Sequence, residues 1–161
     1  MIAHTDYFKV ASWNENIIVK VMGYATQNNS LFFRDFVENM LKKGYRKFTV
    51  DLSSCKGMDS TFMGVLIGMV ENVQLINTNR YHRSLLDGLG ISRLLSIVKE
   101  PVSLPDLKMV TLQETSYDPN RRLKMICDVH QHLAKLNAQN AQMFGEFLRP
   151  FDDEKKYKHN E

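Results

Sequence analysis

Hydrophobic and polar positions alternate at the start of the chain and then change period. Ile17, Val19 and Val21 fall on one face of an extended segment, and Ile18, Lys20 and Met22 on the other. That is strand periodicity. Phe8–Ser12 precedes it, and Asn14-Glu15-Asn16 reads as the hairpin turn between the two strands. Gly23 is expected to end the second strand. From Asn29 or Ser30 the period becomes helical, with Phe32, Phe36, Val37, Met40 and Leu41 as the apolar stripe. Lys42 and Lys43 suit the last turn, and Gly44 is a natural stop. Phe48–Leu52 reads as a buried central strand. Thr61–Met69 is apolar nearly all round, which predicts a buried helix. Gly64 and Gly68 share one face of it, where they would let the backbone approach a sheet closely. Val73–Asn77 is the next strand. Arg80–Leu89 reads as a helix with Leu85, Leu86 and Leu89 inward, and Met109–Leu112 as a last strand.

The predicted order is β-β-α-β-α-β-α-β. Strands alternating with helices imply a mostly parallel sheet covered by helices. The first hairpin adds an antiparallel edge, so the fold class is α/β with a mixed sheet.

A long helix is predicted next. Asp118-Pro119 is a cap followed by a first-turn proline. Ile126, Val129, Leu133, Leu136, Asn140, Met143 and Phe147 then recur at alternating steps of three and four. This is a heptad seam with one asparagine at an inner position. Run unbroken to about Arg149, the helix would span roughly 45 Å at 1.5 Å per residue. A body of about 110 residues has a radius of gyration near 13 Å, too small to cover it all. Three uses stay open: folding back on the sheet, a homodimer seam with register set by Asn140, or a helix offered to a partner protein. The expected division is 1–115 for the sheet domain, 116–150 for the amphipathic helix and 151–161 for a charged, disordered tail.

Composition narrows the function. The chain has 161 residues, 43% hydrophobic and 24% charged, enough for a normal core without disulfide or metal staples. A net charge of +3, spread along the chain, lacks the basic stripe of a nucleic-acid binder. Cys55 and Cys127 have no CxxC partner, so no metal site is expected and a reducing compartment suits them. The N-terminus has no signal-peptide pattern and no apolar run is long enough to span a bilayer. A cytoplasmic protein without a membrane role is the expectation. Nucleotide-binding glycine motifs and GxSxG are absent, so neither a cofactor nor an enzyme is expected. Of the five histidines, His4 and His159 lie near the termini and His82 opens a surface helix. His130 and His132 face different sides of theirs.

The chemistry that remains sits at a junction, Met58-Asp59-Ser60-Thr61, between two apolar elements. Asp59 is a natural N-cap. Ser60 in the first turn would point outward at the positive end of a helix dipole, where a phosphate is tolerated. The phosphate would still add about −1.5 to −2 charges beside Asp59. Met58, Phe62 and Met63 flank the serine, either as core fillers or as an adaptable docking patch.

These residues resemble the STAS domain of anti-sigma factor antagonists. The family pattern is a strand ending in Asp-Leu-Ser, a short turn, then Asp-Ser-Ser/Thr opening a helix with Gly-Val-Leu. This chain supplies Asp51-Leu52-Ser53, Asp59-Ser60-Thr61 and Gly64-Val65-Leu66. RSLLDGLGISRLLSI resembles the family's penultimate helix and following turn, and the likeness covers about residues 5 to 115. It departs from the pattern at Phe62-Met63, where glycine usually follows the hydroxyls. It departs again at Gly23-Tyr24-Ala25-Thr26, which lacks the usual acid.

The resemblance implies a binding module that is not an enzyme, with Ser60 as phosphoacceptor. Asp59, Thr61, Phe62, Met63 and Met58 would be the residues around which a partner docks. The implied partners are an anti-sigma factor that is also a serine protein kinase and a PP2C-type phosphatase that resets the switch. A STAS scaffold that is not phosphorylated, as a subunit of a transporter or sensory complex, is the alternative.

Overall fold

The computed structural model describes the backbone of residues 5–114 and 118–159, and side chains as far as Phe151. The expected boundary at 115/116 therefore lies outside the described residues. β1 (Tyr7–Trp13) and β2 (Asn16–Ala25) form the antiparallel hairpin, with Trp13 opposite Asn16 and Tyr7 opposite Met22. The two-residue turn places Asn14 and Glu15 at φ of 50° and 66°. A hairpin whose strands twist to the right needs this left-handed turn backbone, and asparagine tolerates it. β2 does not end at Gly23. It bulges between Gly23 and Tyr24 and continues to Ala25, pairing there with β4 (Cys55–Met58). Gly23 has φ +80°, and a side chain on it would collide with the Thr5 carbonyl and the Asp6 carboxylate.

β3 (Lys47–Asp51) lies parallel to β2, and β5 (Val73–Ile76) parallel to β3. Two-residue strands, β6 (Ser96–Ile97) beside β5 and β7 (Val110–Thr111) beside β1, complete the order β6-β5-β3-β2-β1-β7. The predicted mixed sheet is therefore present, antiparallel at the β1 side and parallel beyond β2. The short strands β4 and β6 are not legible in the sequence.

α1 (Ser30–Lys42), α2 (Ser60–Gly68) and α3 (Arg80–Gly88) connect the strands. α1 turns Phe33, not Phe32, fully inward, with Leu31 and Val37, while Phe36, Met40 and Leu41 are half-buried. Phe8, Phe33 and Phe62 form the centre of the core, with ring centroids 5.2–6.1 Å apart. On α3, His82 is fully buried rather than at the surface. Its Nδ1 accepts from the Asn79 N–H at 3.1 Å, so Nε2 carries the proton donated to the Cys55 carbonyl at 2.8 Å.

The predicted single C-terminal helix is two helices, α4 (Pro119–Leu136) and α5 (Ala138–His159). Asn137 breaks them apart with extended backbone, φ −161° and ψ 164°. Its side chain then caps α5 by accepting from the Asn140 N–H at 2.8 Å. The asparagine read as a dimer register device is completely buried within the chain. Asn140 Nδ2 donates to the carbonyls of Leu89 (2.9 Å) and Leu133 (3.0 Å). The expected homodimer seam is thus not continuous. Ile126, Val129 and Leu133 are buried against the chain's own domain, Leu136 is half-buried, and only Met143 and Phe147 stay exposed. α5 also runs through Pro150 to His159, so residues 151–159 have helical backbone where a structureless tail was expected. Residues 160–161 lie outside the described ones.

α2 is apolar all round because it is covered twice, by the sheet beneath and by α4 above. A Cβ at Gly64 would sit 2.8 Å from Val129 Cβ and 3.3 Å from Leu133 Cδ1, so this glycine admits α4 rather than the sheet. At Gly68 an added Cβ would meet nothing within 4 Å.

Candidate functional site

The junction at Asp59 is built by pairing β4 parallel to the bulged end of β2 and launching α2 directly from it. The Asp59 N–H donates to the Ala25 carbonyl at 3.1 Å, which anchors the turn to the sheet. Its carboxylate caps α2 by accepting from the Phe62 N–H at 2.9 Å. The other carboxylate oxygen accepts from the Gln27 N–H at 2.7 Å. Asp59 is therefore committed to internal hydrogen bonds that hold the 26–29 turn against the start of α2. Asp51, at the end of β3, is buried and accepts from the Ser53 N–H and the Asn77 side-chain amide, each at 3.0 Å.

Ser60 is the first residue of α2 and is half-buried. Its hydroxyl does not point freely outward as expected. Ser60 Oγ lies 2.7 Å from Nε2 of His130 on α4. His130 Nδ1 lies 2.6 Å from the Ile126 carbonyl, which can only accept, so Nδ1 carries a proton. In the neutral ring Nε2 is then the acceptor and the Ser60 hydroxyl the donor. The imidazole is itself buried, with Phe144 and Phe147 edge-on at centroid distances of 4.8 and 5.4 Å.

The five residues expected around the docking site are distributed unequally. Asp59 is partly exposed beside Ser60. Met58, Thr61, Phe62 and Met63 are buried, at 7%, 3%, 0% and 4% exposure, so none is available at the surface of this conformation. Of the two uses open to Met58, Phe62 and Met63, this conformation shows core packing, most fully for Phe62. One helical histidine 70 residues from a serine carries no local signal, so the pairing of His130 with Ser60 emerges only from the fold.

The first turn of α4 is tied down next to this site. Arg121 forks onto Asp35 of α1 with bonds of 2.8 and 3.0 Å, and Arg122 donates to Asn28 at 3.2 Å. A groove of about 300 Å³ opens farther along α2. Gly64, Gly68, Arg34, Asp128 and His132 line it, rather than Ser60 and His130. Among the described residues, no cluster of three or more potential ligand side chains could hold a metal ion, and no helix is long and apolar enough to cross a membrane. Cys55 and Cys127 are buried and form no disulfide, and burial pushes the Cys55 thiol above its ordinary range.

No family model matches the chain, and no curated protein matches its sequence. Solved structures do match. An anti-sigma factor antagonist from Mycobacterium paratuberculosis superposes with a TM-score of 0.53 at 11% identity, over 62% of this chain and 92% of its own. A Thermotoga maritima protein described as a candidate anti-sigma factor antagonist gives 0.52 at 21% identity, over 56% and 84% respectively. At these identities the likeness establishes the fold. This chain has the STAS-like fold of anti-sigma factor antagonists, and more than a third of it lies outside each match.

Proposed function

We propose that the chain is an anti-sigma factor antagonist, a phosphorylation-switched binding module rather than an enzyme. It binds an anti-sigma factor that is also a serine kinase while Ser60 is unmodified. Phosphorylation of Ser60 by that kinase releases it, and a PP2C-type phosphatase restores it. A cytoplasmic location goes with that role.

The observation that carries this reading is the placement of Ser60. It is a half-buried residue at the first position of a capped helix, in a fold shared with anti-sigma factor antagonists. The dipole at that end of α2 favours an anion, so a phosphate on Oγ is compatible with the fold. It also places about −1.5 to −2 charges beside Asp59, on the surface a partner must desolvate.

The 2.7 Å contact from Ser60 to His130 has the donor and acceptor order of a nucleophile and its base. Yet the group orienting the imidazole is a backbone carbonyl, and the groove along α2 is lined by other residues. Turnover that persists in Ser60→Ala would remove this serine from any catalytic role.

Incubation of the chain with the anti-sigma-factor kinase of the same cell and ATP tests the proposal. Mass spectrometry is expected to find one phosphate, on Ser60, and none on Ser60→Ala. Thr61, only 3% exposed, is expected to stay blank. An unmodified Ser60 under conditions where the kinase is active would favour the scaffold alternative, a subunit of a transporter or sensory complex.

A further inference from the structure

The face that carries Ser60 is covered, and the cover belongs to the same chain. Ser60 Oγ is engaged by His130 across 70 residues of sequence. The next residues of α2 are sealed, and Val129 and Leu133 of α4 sit so close over Gly64 that an added Cβ would meet them at 2.8 and 3.3 Å. A partner cannot dock on α2 while α4 lies there.

We infer that the α4–α5 hairpin is a displaceable cover over the Ser60 face, latched by His130 and by the Arg121–Asp35 pair, and that a docking protein competes with it. The inference rests on the reading of Ser60 as the switch residue.

Met125, Val129 and Leu133 of α4 join the core beneath, and three features of the contact let it open as a unit. First, the contact has the anatomy of a protein–protein interface, with an apolar centre and a polar rim. Val129 and Leu133 lie at the centre, over Gly64. Arg121–Asp35 and Arg122–Asn28 close one end, and Asn137 and Asn140 bond the Leu89 carbonyl at the other. Second, α4 packs most extensively on α5 and only then on α2. The hairpin therefore keeps its own pairing when it lifts. Third, the latch at Ser60 is a hydrogen bond between two side chains, which a docking protein can replace with its own.

Competition has a defined consequence. Where only a fraction of the molecules are open, apparent affinity for a partner falls by that fraction, and any change that raises the open fraction raises affinity equally.

Hydrogen–deuterium exchange on the full chain and on Asp35→Asn tests the cover without a partner. Asp35 faces Arg121 and does not touch Ser60, so this variant weakens the latch from a distance. In the unmodified chain, amides of Ser60–Gly68 and Pro119–Leu136 are expected to exchange through an opening that leaves Lys47–Asp51 protected. In Asp35→Asn their exchange is expected to quicken by about threefold or more, with Lys47–Asp51 unchanged. Exchange of α4 only together with Lys47–Asp51, moved equally by the variant, would overturn the proposal, because the hairpin would then be core. The rate of Ser60 phosphorylation, measured in parallel, is expected to rise by the same factor. An unchanged rate beside faster α4 exchange would also overturn it. If α4 responds as expected but Ser60 never takes phosphate in either chain, the cover stands and the switch reading fails.

Discussion

Phe62→Ala is expected to cost about 3–5 kcal/mol of folding free energy, roughly a fifth or more of what a small domain has. Phe62 has no exposed surface and sits against both Phe8 and Phe33, at 6.1 and 5.2 Å between centroids. It is the residue through which α2 is pinned to β1 and α1 together. Truncation removes the buried ring and leaves a void that the sheet beneath cannot collapse into. Urea unfolding of the two chains measures the effect, and a loss below about 1 kcal/mol would contradict it. Anti-sigma factor antagonists usually carry glycine at this place in the pattern. Here the larger residue is accommodated because it turns down into the core, away from the surface beside Ser60.

Gly64→Val carries the second large effect, and it acts at the opposite face of α2. A Cβ there already sits 2.8 Å from Val129 Cβ and 3.1 Å from Val129 Cγ2, before the valine's two further methyls are added. Helix propensity favours the change by several tenths of a kcal/mol, which the clash overwhelms. Overpacking of this kind typically costs about 1–3 kcal/mol, and the upper end is expected because Leu133 closes the remaining space. The strain falls on the α2–α4 contact alone. Loss of exchange protection is therefore expected in Pro119–Leu136 while the sheet persists. Gly64→Val combined with Val129→Ala is expected to recover part of the loss. A Gly64→Val chain as stable as the original, with α4 still protected, would contradict the close approach.

The sheet and its first three helices were legible because their signals are local. Alternation marked β1 and β2, the 3.6 period marked α1, and Asp59 marked the start of α2. The reading failed where distant parts of the chain decide the outcome. β4 is a strand because the bulged end of β2 offers it a partner, which Cys-Lys-Gly-Met does not reveal. Asn137 ends α4 because its side chain caps α5 and reaches the Leu89 carbonyl at 3.3 Å, so the heptad spacing across it is coincidental to a hairpin. Both Phe32 and Phe33 fit a helical stripe, and only the position of Phe8 and Phe62 selects Phe33. His82 looked exposed because its acceptor, the Cys55 carbonyl, lies 27 residues earlier.

At the candidate site the same division holds. Asp59 as a cap followed from residue type and position. Ser60 was singled out by its place in the first turn and by resemblance. Its engagement by His130 depends on how α4 folds back, which no spacing encodes. The fully apolar surface of α2 was the one available clue, since a helix apolar on every side requires a second covering layer.

The central claim is that charge on Ser60 controls docking. Titration calorimetry of the anti-sigma factor against two forms of the full chain, unmodified and carrying phosphoserine at position 60, tests it most directly. The account predicts that the phosphorylated form binds at least about tenfold more weakly, a difference of about 1.4 kcal/mol. Ser60→Asp is expected to shift the same way and Ser60→Ala to bind like the unmodified chain. Equal affinities for the phosphorylated and unmodified forms would contradict it.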